Sequence, residues 1–181
     1  MLEPSAPDGV WAPVTESLLH DGWHRLLSRT YELPDGRRVE WELDASADCV
    51  VVLPLTPEGE VVCISQFRPG PDRQMLTFPG GILDPGEGVR DAAIRELREE
   101  TGYTADSLEV VGHLERGSST QKSYAAVASG CRPTASQDLD EWEDCIPILM
   151  SVEDVRRVLR AGGMTGSHLV YFALDHAGLL G

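Results

Sequence analysis

Residues 81–103 read GILDPGEGVRDAAIRELREETGY, a glycine-rich turn running into a segment of helical periodicity with three glutamates on one face. Glu96, Glu99 and Glu100 stand at i, i+3 and i+4, so a helix brings their carboxylates to the same side. Like charges at that spacing cost roughly a few tenths of a kcal/mol per pair unless a cation lies between them. The donors are oxygens, with no Cys or His among them, which suits a hard cation: Mg²⁺, or Mn²⁺ as the alternative. The spacing predicts a helix from Val89 to a stop at Gly102, where glycine suits a left-handed cap, with Ala92, Ala93 and Leu97 as its packing positions. Just before it, Pro79-Gly80-Gly81 allows a tight backbone path against a ligand or metal.

The whole chain sets outer limits. With 181 residues and 41% apolar content it has room for one domain with a proper core. A net charge of −15 and no basic run argue against a nucleic acid polymer as partner, while small phosphorylated molecules need only a local focus of metal and arginine. No segment approaches 18 continuous apolar residues, so no membrane span is expected. MLEPSAPDGV lacks the basic start and apolar run of a signal peptide, which points to the cytoplasm. Cys49, Cys63, Cys131 and Cys145 are widely spaced and form no Cys-x-x-Cys pair, as expected of small buried side chains in a reducing compartment. The five histidines show no ligand spacing.

Along the chain, residues 1–21 are rich in Pro, Ser and Asp and are expected to form a loosely ordered lead-in. Residues 24–33 and 38–43 flank Pro34-Asp35-Gly36 and predict a β-hairpin within 22–45. A second hairpin is predicted from 50–55 and 61–67 around Thr56-Pro57-Glu58-Gly59, buried on both faces. Shorter strands follow at 75–78, 108–114, 123–128 and 145–150, then helices capped by Ser151 and spanning roughly 167–176. Grouped strands with a few helices argue for α+β.

The segment 81–103 also resembles the Nudix box. Gly81, Glu87, Arg95, Glu96, Leu97, Glu99, Glu100 and Gly102 fill its pattern without a gap, and Tyr103 stands where aliphatics are commoner. Seven fixed identities at a background of about 7% each give a chance match on the order of 10⁻⁸ per starting position. A solvated acidic helix would explain the charge but not the flanking glycines. The resemblance implies an α/β/α sandwich around a mixed β-sheet over 46–181, with an N-terminal β-hairpin extension. Among its branches the chain is most similar to the ADP-ribose pyrophosphatases, through that hairpin, Gln66-Phe67-Arg68 and the Glu-x-Glu-Asp segment ending at Asp144. In that branch the N-terminal strands commonly help to build a homodimer.

The implied reaction is hydrolysis of a nucleoside diphosphate linked to another group, with ADP-ribose or a related sugar as the leading substrate and a nucleoside monophosphate as product. Glu96 and Glu100, with Glu99 and the Gly80 carbonyl, would hold two or three Mg²⁺ ions, making Glu99 and Glu100 part of the catalytic set. Glu99 has a second reading as an ion-pair partner of Arg95. Arg95 would orient the carboxylates, Glu87 would pair with Arg95 or bond the loop, and Gly81 and Gly102 would support the site. Glu141 is the expected base, with Glu143 as metal ligand or alternative base. Arg68 would grip a phosphate, Arg116 lies on a loop able to reach the same cleft, and Phe67 or Phe78 would stack on a base. Two positions depart from the branch: Arg116 replaces a proline and Phe78 an acidic residue. Coenzyme A, NADH, dinucleoside polyphosphates and simple nucleotides stay open as substrates, as does a nucleotide sensor without turnover.

Overall fold

The computed structural model describes residues 10–181, which fall into two units. The first comprises the described residues up to Ala47 together with Glu115–Gln121. Here β1 (Ala12–Asp21), β2 (Arg25–Glu32) and β3 (Arg38–Asp44) form an antiparallel sheet in that order. The turn between β2 and β3 closes as predicted, with Gly36 N–H donating to the Leu33 carbonyl at 2.9 Å. Residues 12–21 correct the expectation of a loose lead-in: they are a full strand, paired along its length with β2. Every residue of β1 is exposed, so its order comes from backbone bonds to β2 and not from a buried stripe that the sequence could have displayed. The first nine residues of the expected lead-in lie outside the described residues.

The second unit spans Asp48–Leu114 and Lys122–Gly181. Its elements begin with β4 (Cys49–Leu55), β5 (Val61–Arg68), β6 (Arg73–Thr77), β7 (Gly80–Ile82) and α1 (Val89–Thr101). They continue with β8 (Tyr103–Thr104), β9 (Ser107–Glu115), β10 (Lys122–Ser129), β11 (Arg132–Pro133), β12 (Ile146–Met150), α2 (Val152–Arg160) and α3 (Ser167–His176). The main sheet runs β12-β5-β4-β10-β9, with β6 against β5 and β7 against β4. It is mixed: β10 lies parallel to β4, whereas β12 and β6 run antiparallel to β5.

Side chains that alternate along the central strands divide the core into two layers. Val50 and Val52 of β4 and Ala126 and Ala128 of β10 pack on Ala92, Ala93 and Leu97 of α1. From the other face Leu53, Val61, Cys63 and Ala125 meet Val155 and Leu159 of α2 and Val170, Ala173 and Leu174 of α3. A sheet between two helix layers follows, and each large side chain taken out of water there contributes about 1.5–3 kcal/mol. Phe78 is fully buried in the second layer, which corrects its reading as a base-stacking residue.

The predicted 50–67 hairpin closes at Thr56–Glu60, but its strands splay, sharing only the Leu55↔Val61 pair. The segment after β5 fills the opening, first against β5 as β6 and then against β4 as β7. Pro79 has no N–H to give the ladder, so the strand predicted at 75–78, observed as β6, ends before it, while the Pro79 carbonyl accepts Val52 N–H at 2.8 Å. β8 and β11 were not anticipated, since two-residue strands carry no periodicity. α1 ends as predicted: Gly102 has φ 75° and donates to the Arg98 carbonyl at 2.8 Å.

Candidate active site

Three elements build the site: the Gly80-Gly81 corner, the carboxylate face of α1 and the acidic segment before β12. Gly80 presses against β4 so closely that a Cβ would collide with the Val50 carbonyl, and one on Gly81 would collide with the Glu96 carboxylate. Glycine therefore brings the backbone up to the helix. There the Gly80 N–H donates to Glu100 Oε2 at 2.6 Å, and the Cys145 thiol donates to Oε1 at 3.3 Å.

Arg95 organises the other carboxylates. Its Nε and Nη2 grip the two oxygens of Glu87 at 2.9 Å each, Nη1 reaches Glu96 at 2.8 Å and Glu99 at 3.1 Å, and Nη2 also donates to the Ile82 carbonyl. Glu87 in turn accepts Asp84 N–H, fixing the loop that leads into α1. These bonds, the Arg95 fork first, pull the Glu87 carboxyl down to about 2.

Glu96 and Glu100 behave in the opposite way. Glu96 is 7% exposed and Glu100 only 3%. Burial raises both above the usual carboxylate range, Glu100 to about 7, and the charge of Glu143 adds to each. The Cys145 thiol is also pushed up, by burial and then by Glu100.

A cavity of about 200 Å³ opens over this face, lined by Arg95, Glu96, Glu99, Asp138, Leu139, Asp140 and Glu143. Five carboxylates face one guanidinium, so the space favours cations. Its oxygen donors match a hard divalent ion. Among the described residues no three His, Cys, Asp or Glu side chains are already gathered at ligand spacing. Arg95 holds two of them, Glu96 and Glu99, instead.

The remaining sequence candidates are placed as follows. Glu143 lines the cavity and accepts Asp140 N–H, whereas Glu141 is exposed and is not among the lining residues. Arg68 ends β5, half-buried, with its Nε enclosed and without a hydrogen-bond partner among the described residues. Phe67 beside it is exposed. Arg116 belongs to the first unit, where its Nη2 bonds Asp44 at 2.6 Å and Gln121 at 2.8 Å. Sequence reasoning missed Asp138 and Asp140 in the cavity and the Cys145 bond to Glu100. The acidic run itself was the only signal, and it reads equally well as a solvated loop.

The family model for the NUDIX domain matches residues 45–167, about two thirds of the chain. The chain belongs to the Nudix family. Similar proteins include an ADP-ribose pyrophosphatase of Bacillus subtilis (strain 168), 42% identical over 77 residues and 42% of each chain. An ADP-sugar pyrophosphatase of Mus musculus is 37% identical over 107 residues, covering 52% of this chain and 49% of its own. The match thus spans half or less of the length of these two Nudix relatives. A crystal structure of an ADP compounds hydrolase superposes with a TM-score of 0.74 at 22% identity, covering 98% of this chain and 100% of that one, which shows the shared fold.

The buried Glu100 gives a stability test. Because its folded carboxyl titrates near 7 and an unfolded one near 4.5, the native state holds the extra proton in between. Stability is full below about 4.5 and falls as pH rises toward 7. In chelator, Glu100→Gln is expected to melt higher than the wild type at pH 8, with the advantage vanishing by pH 5. A mutant melting lower at pH 8 would show that Glu100 is not a strained charge.

Proposed function

We propose that the chain is a metal-dependent pyrophosphohydrolase that cleaves ADP-ribose or a related nucleoside diphosphate sugar and releases a nucleoside monophosphate. The cavity lined by five carboxylates and Arg95 carries this reading, because it is a cation site built on the intact box. The names of the matched relatives support ADP-linked sugars as the substrate class.

Glu96, Glu99, Glu100, Glu143 and the Gly80 carbonyl are the donors proposed for Mg²⁺, with two or three ions per site. When bound, Mg²⁺ supplies charge neutralisation of the pyrophosphate and a more acidic water. The chain's residues do the rest. Arg95 and Glu87 hold the carboxylate face in register. Arg68, half-buried at the end of β5, is the proposed grip on a phosphate oxygen, and Phe67 presents an exposed ring to the base. A glutamate of the acidic segment accepts the proton of the attacking water. Glu143 is already in the cavity, and Glu141 is the base only if the segment moves.

A screen of nucleoside diphosphate derivatives with product identification tests this directly. ADP-ribose is expected to give AMP with Mg²⁺ and nothing in chelator. Glu143→Gln should lower kcat about 100-fold or more and Glu141→Gln less than about threefold; the reverse order would move the base to Glu141. Metal binding without turnover on the whole panel would leave a nucleotide sensor.

Among the described residues no helix is long and apolar enough to cross a membrane. We place the protein in the cytoplasm, as buried Cys63, Cys131 and Cys145 suit a reducing compartment. The exposed Trp11, Val14, Leu18 and Trp41 of the N-terminal sheet support a homodimer. Sedimentation equilibrium should give twice the chain mass, and a monomer across the micromolar range would remove the dimer.

A further inference from the structure

The acidic segment that brings Asp138, Asp140 and Glu143 to the cavity is fastened at both ends. At its start Gln137 Nε2 donates to the carbonyls of Glu100 and Cys145, the latter at 2.9 Å, and Asp138 N–H donates to the Glu99 carbonyl at 2.9 Å. The last carbonyls of α1, which have no partner inside a helix, are thereby capped by this segment.

The other fastening is Asp144. In the ladder between β12 and β5, Ile146 faces Ser65 and Pro147 faces Ile64. Two residues further along this register Asp144 falls opposite Phe67, but β12 stops short of it at Ile146. Both Asp144 carboxylate oxygens instead accept the Phe67 N–H at 3.1 Å, and Oδ2 also accepts Gln74 Nε2 at 3.0 Å. A side chain stands where a strand carbonyl would have been. The backbone ladder ends at Ile146, and the Asp144 side chain anchors the chain next to Glu143, which lines the cavity while Asp144 does not.

We propose that Asp144 is a positioning residue: by accepting the β5 Phe67 N–H in place of a β12 carbonyl it ends β12 and sets where Glu143 enters the site. This rests on the hydrolase reading, in which Glu143 works on the reacting water or its metal. Charge-assisted bonds to backbone and amide donors are stronger than neutral ones, so one side chain can hold the segment against fraying. Trp142, 88% exposed, shows that no apolar packing of its own side chain does so.

The test compares wild type, Asp144→Ala and Asp144→Asn by amide hydrogen exchange on the metal-free protein and by steady-state kinetics on ADP-ribose. In Asp144→Ala the Phe67 amide and those of 138–143 should exchange about tenfold faster or more. At saturating Mg²⁺ its kcat should fall about tenfold or more while KM moves less than about threefold, since displacement of a reacting group costs turnover. Asparagine keeps an acceptor for Phe67 N–H and should recover at least about half of both effects. Unchanged exchange across 138–143, an unchanged kcat, or Asn as damaging as Ala would overturn the proposal. If the wild type turns over no substrate, the hydrolase reading falls, and exchange alone then decides whether Asp144 fixes the segment.

Discussion

Crowded negative charge on one face of α1 is the constraint around which the site is arranged. Glu96, Glu99 and Glu100 cannot sit together unpaired, and they are answered in two ways. Arg95 spreads its fork over Glu96, Glu99 and Glu87, while Glu100, the most buried of the four, relies on a backbone N–H and a thiol. Neither donor neutralises a full charge. The result is one strongly acidic carboxylate, Glu87, and two reluctant ones, Glu96 and Glu100, within a single turn-and-helix unit.

The rest of the second unit serves that arrangement. Splaying of β4 from β5 admits β7, and β7 carries the Gly80 N–H to Glu100. Gly80 is required by contact, since a Cβ there would meet the Val50 carbonyl, while a Cβ on Gly81 would displace the Glu96 carboxylate. The acidic segment then closes the cavity from the β12 side, joined to the carbonyl end of α1 by Gln137 and Asp138. Helix, glycine corner and segment thus share hydrogen bonds, and a change in one is felt by the carboxylates of another.

Much of this was legible in the sequence wherever the information is local. α1 and its stop at Gly102, the Ser151 cap and the turns at Gly36 and Gly59 follow from neighbours a few residues apart, and the box encodes its carboxylate face by helical spacing alone. What was not legible depends on pairing across distance. β1 is exposed throughout and held by β2, so no apolar rhythm betrays it. The entry of β7 against β4 depends on how two strands diverge, and the role of Asp144 depends on register with a residue 77 positions away. Arg116 bonds Asp44, 72 positions away, a pairing that no local pattern displays.

The proposed function makes the α1 carboxylates a divalent-cation site. Its most direct measurement is the titration of nucleotide-free protein with Mn²⁺, followed by the loss of the free-ion signal in electron paramagnetic resonance at pH 7.5. Saturable binding is expected in the wild type, with about tenfold or greater weakening in Glu96→Gln. Equal affinity in the two proteins, or no binding in either, would contradict it.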